Sequence, residues 1–272
     1  TFLHEEFKIQ RNLYVDRILD MARGNPRHAA MVASIILKVG DYKGFTHVAQ
    51  AFRLYYKEHL DRIGAFANAD SLRVLFSFAF FHHIEGTAYE MPILPRLLPL
   101  LGMEQETFWR HARELDRLEL IDLLSDGGPG LIADETFGAF LVHHVLFDKR
   151  HMDLGKLLIT FFDGYREKVV AALNAVMVIF HADAEQEVLR KAVDEAFAQF
   201  QKEEQRDVIA ELHEAFHALD PERTLSYVQE QIAAIPKEKK VSSLEFAGDG
   251  GHFLDAPLRL LQQMGNGHSL EV

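Results

Sequence analysis

Leu120-Ile121-Asp122-Leu123-Leu124, Ser125-Asp126-Gly127-Gly128-Pro129-Gly130, Leu131-Ile132-Ala133 is the stretch that decides the fold, because it is the chain's one convincing β-pattern. Two short apolar runs flank a turn rich in glycine and proline, which reads as a hairpin. Everywhere else the periodicity is helical. Just upstream, helices are expected at about 69–84, 94–101 and 104–119, with Gly102 as a stop between the second and third. Three helices closed by a hairpin form a winged helix, assigned to residues 67–150.

Working outward toward the amino end, a helix is expected over 6–22, with Leu13, Ile18, Leu19 and Met21 among its apolar positions. Gly24 stops it, Asn25 caps the next helix, and Pro26 takes the first helical position of a segment reaching 39. Gly40 and Gly44 punctuate the link to a third helix over 46–63. Residues 1–66 thus read as a helical lid-type domain. Toward the carboxyl end, Asp134 is a capping residue type, followed by helices at about 135–147, 154–162, 165–181, 183–202, 204–218 and 222–234. The last few are joined by short links, so 151–235 reads as an α-helical repeat-like region. Residues 236–272 form an irregular tail with a short helix near 258–264. The expected fold is therefore mainly α.

Composition narrows the function classes. In 272 residues, 48% hydrophobic content is enough for two or three packed cores. The absence of cysteine excludes disulfides, thiolate zinc sites and cysteine nucleophiles, and fits a cytoplasmic setting. A net charge of −12 opposes non-specific binding to nucleic acid or anionic membrane. The richest apolar run, 72–81, is broken by Arg73 and Ser77 and flanked by Asp70 and His82, so it reads as a buried helix and not a membrane span. No basic-then-apolar leader opens the chain. Its start at Thr1 and its end at Leu270-Glu271-Val272 suggest a portion of a longer protein.

Gly24-Asn25-Pro26-Arg27 combines a helix stop, a cap and a helix start, putting unpaired backbone N–H groups and an arginine at a positively polarised helix end. Such an end suits phosphate or a nucleotide edge. This turn between two helices, followed by a winged helix and then helical pairs, resembles the regulatory half of STAND-type signalling ATPases, the AAA+ relatives that include NACHT and NB-ARC sensors. The resemblance covers roughly residues 7–235, and Tyr14-Val15-Asp16-Arg17-Ile18-Leu19 looks like the helix preceding this turn in bacterial members. It implies that Pro26 touches the adenine and that Arg27, placed like a second-sensor arginine, reaches phosphate.

The resemblance further implies bound ATP or ADP with magnesium, and a role in signalling, with self-assembly or a protein ligand, in antiviral defence. Many NB-ARC proteins carry a His-Asp pair after the wing; here Asp134 fits, and Ala133 stands where the histidine would be. No Gly-x-x-x-x-Gly-Lys-Ser/Thr loop occurs in the chain. The nucleotide would therefore be held mainly by an upstream P-loop domain, and this chain by itself carries no complete catalytic site.

Two other readings compete. A winged helix often binds DNA, yet the helix over 104–119 sets Arg110, Arg113 and Arg117 against Glu104, Glu106, Glu114, Asp116 and Glu119. Its inward stripe is Phe108, Ala112, Leu115 and Leu118. A helix entering a groove of phosphates should be positive on its exposed face, so nucleic acid is an unfavoured partner. The second is zinc hydrolysis: His213-Glu214-Ala215-Phe216-His217 matches His-Glu-x-x-His, which places two imidazoles one turn apart with a glutamate as general base. Its third ligand would be Glu222 or Glu230. The simpler reading is a solvated face with Leu212, Phe216 and Leu219 packing inward. The pairs His82-His83 and His143-His144 read as helix-flank residues, since adjacent helical positions point about 100° apart. The 21 phenylalanines are core material, and Lys237-Glu238-Lys239-Lys240 is a solvated linker.

Overall fold

A computed structural model describes residues 2–9, 12–22, 26–39, 51–56, 61, 69–81, 84, 93–123, 130–132, 135–180, 182–234, 260–262 and 264–265. The protein is mainly α-helical. Among the described residues no helix is long and apolar enough to cross a membrane. The chain divides into two compact units, one made of Thr1–Asp153 with Gly164–Glu185, the other of Leu154–Asp163 with Gln186–Val272.

The first unit opens with α1 (Phe2–Glu5), α2 (Asn12–Ala22) and α3 (Pro26–Val39). The first long helix begins at Asn12 and not near residue 6. Lys8 takes a left-handed φ of 53°, and the Ile9 N–H donates to the Leu3 carbonyl, which ends α1 in a turn. Helices α2 and α3 pack on one another, and Ile18, Ala22, Ala29, Val32, Ala33 and Ile36 are buried. Leu19, expected inside, is 50% exposed, because the buried stripe of α2 runs through Val15, Ile18 and Ala22. Residues 51–56 are helical and bury Ala51, Phe52 and Tyr56. The remainder of the helix expected over 46–63 falls outside the described residues, apart from the helical Asp61.

Next come α4 (Ala69–Phe81), α5 (Ile93–Leu101) and α6 (Gln105–Arg117). Helix α4 buries side chains on nearly all sides, from Val74 to Phe81. Its Ser77 hydroxyl is satisfied by donating 2.8 Å back to the Arg73 carbonyl. Helix α5 ends as its glycine predicts: Gly102 has φ 62°, its N–H donates to Pro99, and the Met103 N–H donates to Leu98, a Schellman stop. Helix α6 closes the same way with Glu119 at φ 60°, the Glu119 N–H on Asp116 and the Leu120 N–H on Leu115.

The Asp116 side chain then accepts a 2.8 Å bond from the Leu123 backbone N–H, which sets the start of a small antiparallel pair. Strands β1 (Asp122–Leu123) and β2 (Gly130–Leu131) pair Asp122 with Leu131 and Leu123 with Gly130. The turn between them, 124–129, falls outside the described residues. Helix α7 (Glu135–His143) packs along α4 and runs into a π-helical turn, His144–Asp148.

Helix α8 spans Leu154–Ile179 as one element, where a break between 162 and 165 is expected from sequence. Gly164 marks that break: its φ of 90° departs from α geometry, a value glycine adopts without a Cβ penalty. The chain changes units at the same residue.

Helix α9 (Asp183–Lys202) starts in the first unit and enters the second at Gln186, where it buries Leu189, Ala192, Val193, Ala196, Phe197 and Phe200, one continuous apolar face. Helices α10 (Arg206–Phe216) and α11 (Pro221–Ala234) follow. Asp220 caps α11 by accepting from the Arg223 N–H at 3.0 Å, and Pro221 fills the first helical position.

Candidate functional site

Of the proposed nucleotide residues, Gly24, Asn25 and Asp134 lie outside the described residues. Pro26 is exposed as the first residue of α3, and Arg27 follows it in the helix. One turn's start is anchored nearby: His28 is buried, with its ring 5.3 Å from Phe52 and edge-on to it. Phe52 in turn stacks on Phe140 and meets Phe180 edge-on. The amino end of α3 is thereby held on the aromatic core of the first unit while Pro26 faces out. A proline there removes no helical hydrogen bond, since the first N–H groups have no intrahelical acceptor.

On α6 the inward residues are Phe108, His111, Ala112 and Leu115, with Leu118 half-buried. Arg110, Arg113 and Arg117 are exposed, as are Glu104 and Glu106, and the Arg113 Nε donates to the Trp109 carbonyl. The outer surface is therefore of mixed sign. His111 was not expected inside. Its Nδ1 lies 2.9 Å from the Ser71 hydroxyl and 3.7 Å from a Glu114 oxygen, while its Nε2 is buried without a hydrogen-bond partner among the described residues. Serine and carboxylate approach the same nitrogen, so this ring cannot pass a proton from one to the other as a catalytic relay does.

The His-Glu-x-x-His motif falls on α10 and its end, but not as a solvated face. His213 is 4% exposed, stacked at 4.2 Å on Tyr227 and 4.6 Å from Phe197, with Nδ1 3.2 Å from the Thr224 hydroxyl. Burial, helped by the Arg223 charge and opposed by Asp220, pulls its pKa down to about 4. His217 turns its Nδ1 to the Glu214 carbonyl. Leu212 and Phe216 pack inward as expected, and Leu219 is half-buried. Among the described residues no group of three His, Cys, Asp or Glu side chains is arranged to hold a metal ion.

A polar cluster surrounds the π-helical turn, where the sequence pattern predicts only two helix-flank histidines. His143, 2% exposed, places Nε2 2.9 Å from Glu185 Oε1 and lies flat on Phe180 at 4.0 Å. His144 stacks on Phe140 and sets Nδ1 3.1 Å from Asp148 Oδ2. Asp148 uses its other oxygen to accept from Arg53 at 3.1 Å, joining the turn to residues 51–56. Glu185 Oε2 is buried with no hydrogen-bond partner among the described residues. Burial lowers the pKa of both imidazoles, outweighing the nearby carboxylates: Glu185 and Asp148 for His143, Asp148 for His144. Both rings are thus neutral donors at neutral pH.

Two sequence signals pointed to this cluster. His143 sits in phase with Phe140 and Phe147, and His144 precedes Asp148 by one turn. The pairing to Glu185, 42 residues on, has no local signal. Comparison with protein-family models, curated proteins and solved structures returns no match.

Proposed function

We propose that this chain is the regulatory portion of a STAND-like signalling ATPase, closing on ATP or ADP held by an upstream P-loop domain and coupling nucleotide state to ligand sensing and oligomerisation. The observation that carries the reading is the exposed Pro26 at the first position of α3, presented from a helix start whose next turn is anchored through His28 on Phe52. A proline at the first position of a helix is suited to lie against a base with phosphate near the positively polarised helix end.

The order of elements supports the same reading. A helical pair is followed by α4, α5, α6 and the β1–β2 pair, which we interpret as a winged helix, and then by further helices that we interpret as a repeat-like sensor. The mixed charge of α6 favours a protein-facing role for that winged helix over reading of DNA. Anti-phage defence is the setting the family resemblance implies.

The test is nucleotide binding by the intact gene product. Replacing Pro26→Ala and Arg27→Ala together should weaken ADP by about tenfold or more, as expected for losing base contact and a charged phosphate contact, roughly 1.4 kcal/mol or more. Unchanged affinity would remove the role assigned to this turn. An intact product with no P-loop would remove the ATPase reading altogether.

A further inference from the structure

We propose that His143, His144, Glu185, Asp148 and Arg53 form a proton-operated latch. It fastens the π-helical turn His144–Asp148 to residues 51–56 on one side and to the first turn of α9 on the other, and it releases on acidification. The inference stands on these side chains alone and does not depend on the nucleotide reading.

Geometry carries it. Two bonds bring distant segments to this turn, His143 at the end of α7 to Glu185 at 2.9 Å and Arg53 to Asp148 at 3.1 Å, and a third, His144 to Asp148 at 3.1 Å, lies within the turn itself. The two imidazoles lie in an aromatic layer, His143 on Phe180 and Phe147, His144 on Phe140. The turn itself has π geometry, a rare irregularity that is frequently found at functional sites.

A neutral imidazole fits this layer, because each ring nitrogen facing a carboxylate can donate while the ring face stays apolar. A second proton must be held by a cation stripped of water. The charged and titratable groups acting on the pair are Glu185, Asp148 and Arg53 for His143, and Asp148, Lys149 and His151 for His144. The carboxylates favour the added proton, while Arg53, Lys149 and His151 oppose it, and loss of water is the largest influence on both rings. Linkage gives the direction. A group that binds its proton less readily when closed drives opening as pH falls, and two adjacent groups of the same sign add their effects.

Hydrogen exchange of the full chain, corrected for intrinsic rates and followed from about pH 7.5 to about pH 5.5, tests this. Protection in peptides covering 137–148 and 183–189 should fall by about tenfold or more. The double variant His143→Gln, His144→Gln should abolish that dependence, and His213→Gln should leave it in place. If the double variant does not fold, imidazole resonances of the unaltered protein decide. Both rings are expected to titrate together with the loss of protection. Protection that is independent of pH, a dependence that survives the double substitution, or rings that titrate while these peptides stay closed would each overturn the latch.

Discussion

His213 lies parallel to Tyr227, ring centroids 4.2 Å apart and planes 15° from one another, so the first histidine of the His-Glu-x-x-His motif is a core side chain. Its consequence is electrostatic. The folded protein holds this imidazole at a pKa of about 4, against an ordinary value of 6.5. The unfolded chain binds the proton first, so the contribution to stability is complete above about pH 6.5 and is lost as pH falls toward 4. The full shift corresponds to on the order of 3 kcal/mol. Chemical denaturation at several pH values should show this loss, and His213→Phe should reduce it by a comparable amount, even though it strips Thr224 of a partner. An unaltered pH slope in His213→Phe would show that the ring titrates normally.

The same placement predicts indifference to chelators. With His213 turned to Thr224 and His217 to the Glu214 carbonyl, a zinc ion would have to break both bonds and draw His213 out of its stack. Dialysis against a chelator should leave the Tm unchanged. A drop reversed by added zinc would restore the hydrolase reading.

Phe140 is the hub of the first unit's aromatic layer, stacked with Phe52, Tyr56, Phe137 and His144. Truncation there removes a full ring and leaves a void bordered by rigid neighbours. Phe140→Ala should cost about 3–5 kcal/mol in denaturant unfolding. A cost under about 1 kcal/mol would mean the layer is loosely packed.

Two helix ends make opposite predictions from one geometry. Gly102, at φ 62°, has open space where a Cβ would go, so Gly102→Ala introduces backbone strain without a clash and should destabilise by about 1 kcal/mol. Glu119, at φ 60°, already bears that strain, and Glu119→Gly should be neutral to stabilising by up to about 1 kcal/mol. Paired thermal melts measure both, and equal signs would contradict the left-handed assignment.

The sequence announced those two ends unequally. Gly102 is a local signal, a residue without Cβ just past an apolar stripe, and it was legible. Glu119 carries no such mark, and only the hydrogen bonds of the folded helix reveal the same stop. The helices of the second unit were likewise readable, because α9 and α10 repeat their apolar positions at the helical period. The candidate site was less so. Pro26 is legible from the turn as the first residue of α3, whereas a polar ring such as His143 in an apolar stripe gives no hint of a partner 42 positions away.

By itself the sequence determined the helical class, the α5 stop and the inward stripes of α6 and α10. These depend on hydrogen bonds and contacts within about one or two turns, which neighbouring residues specify. Tertiary structure alone decided that His111, His143 and His213 lie inside, that Leu19 points out, and that Arg53 meets Asp148. Histidine is polar at one edge and flat and apolar on its face, so its location depends on whether distant segments supply both a hydrogen-bond partner and a ring to stack on.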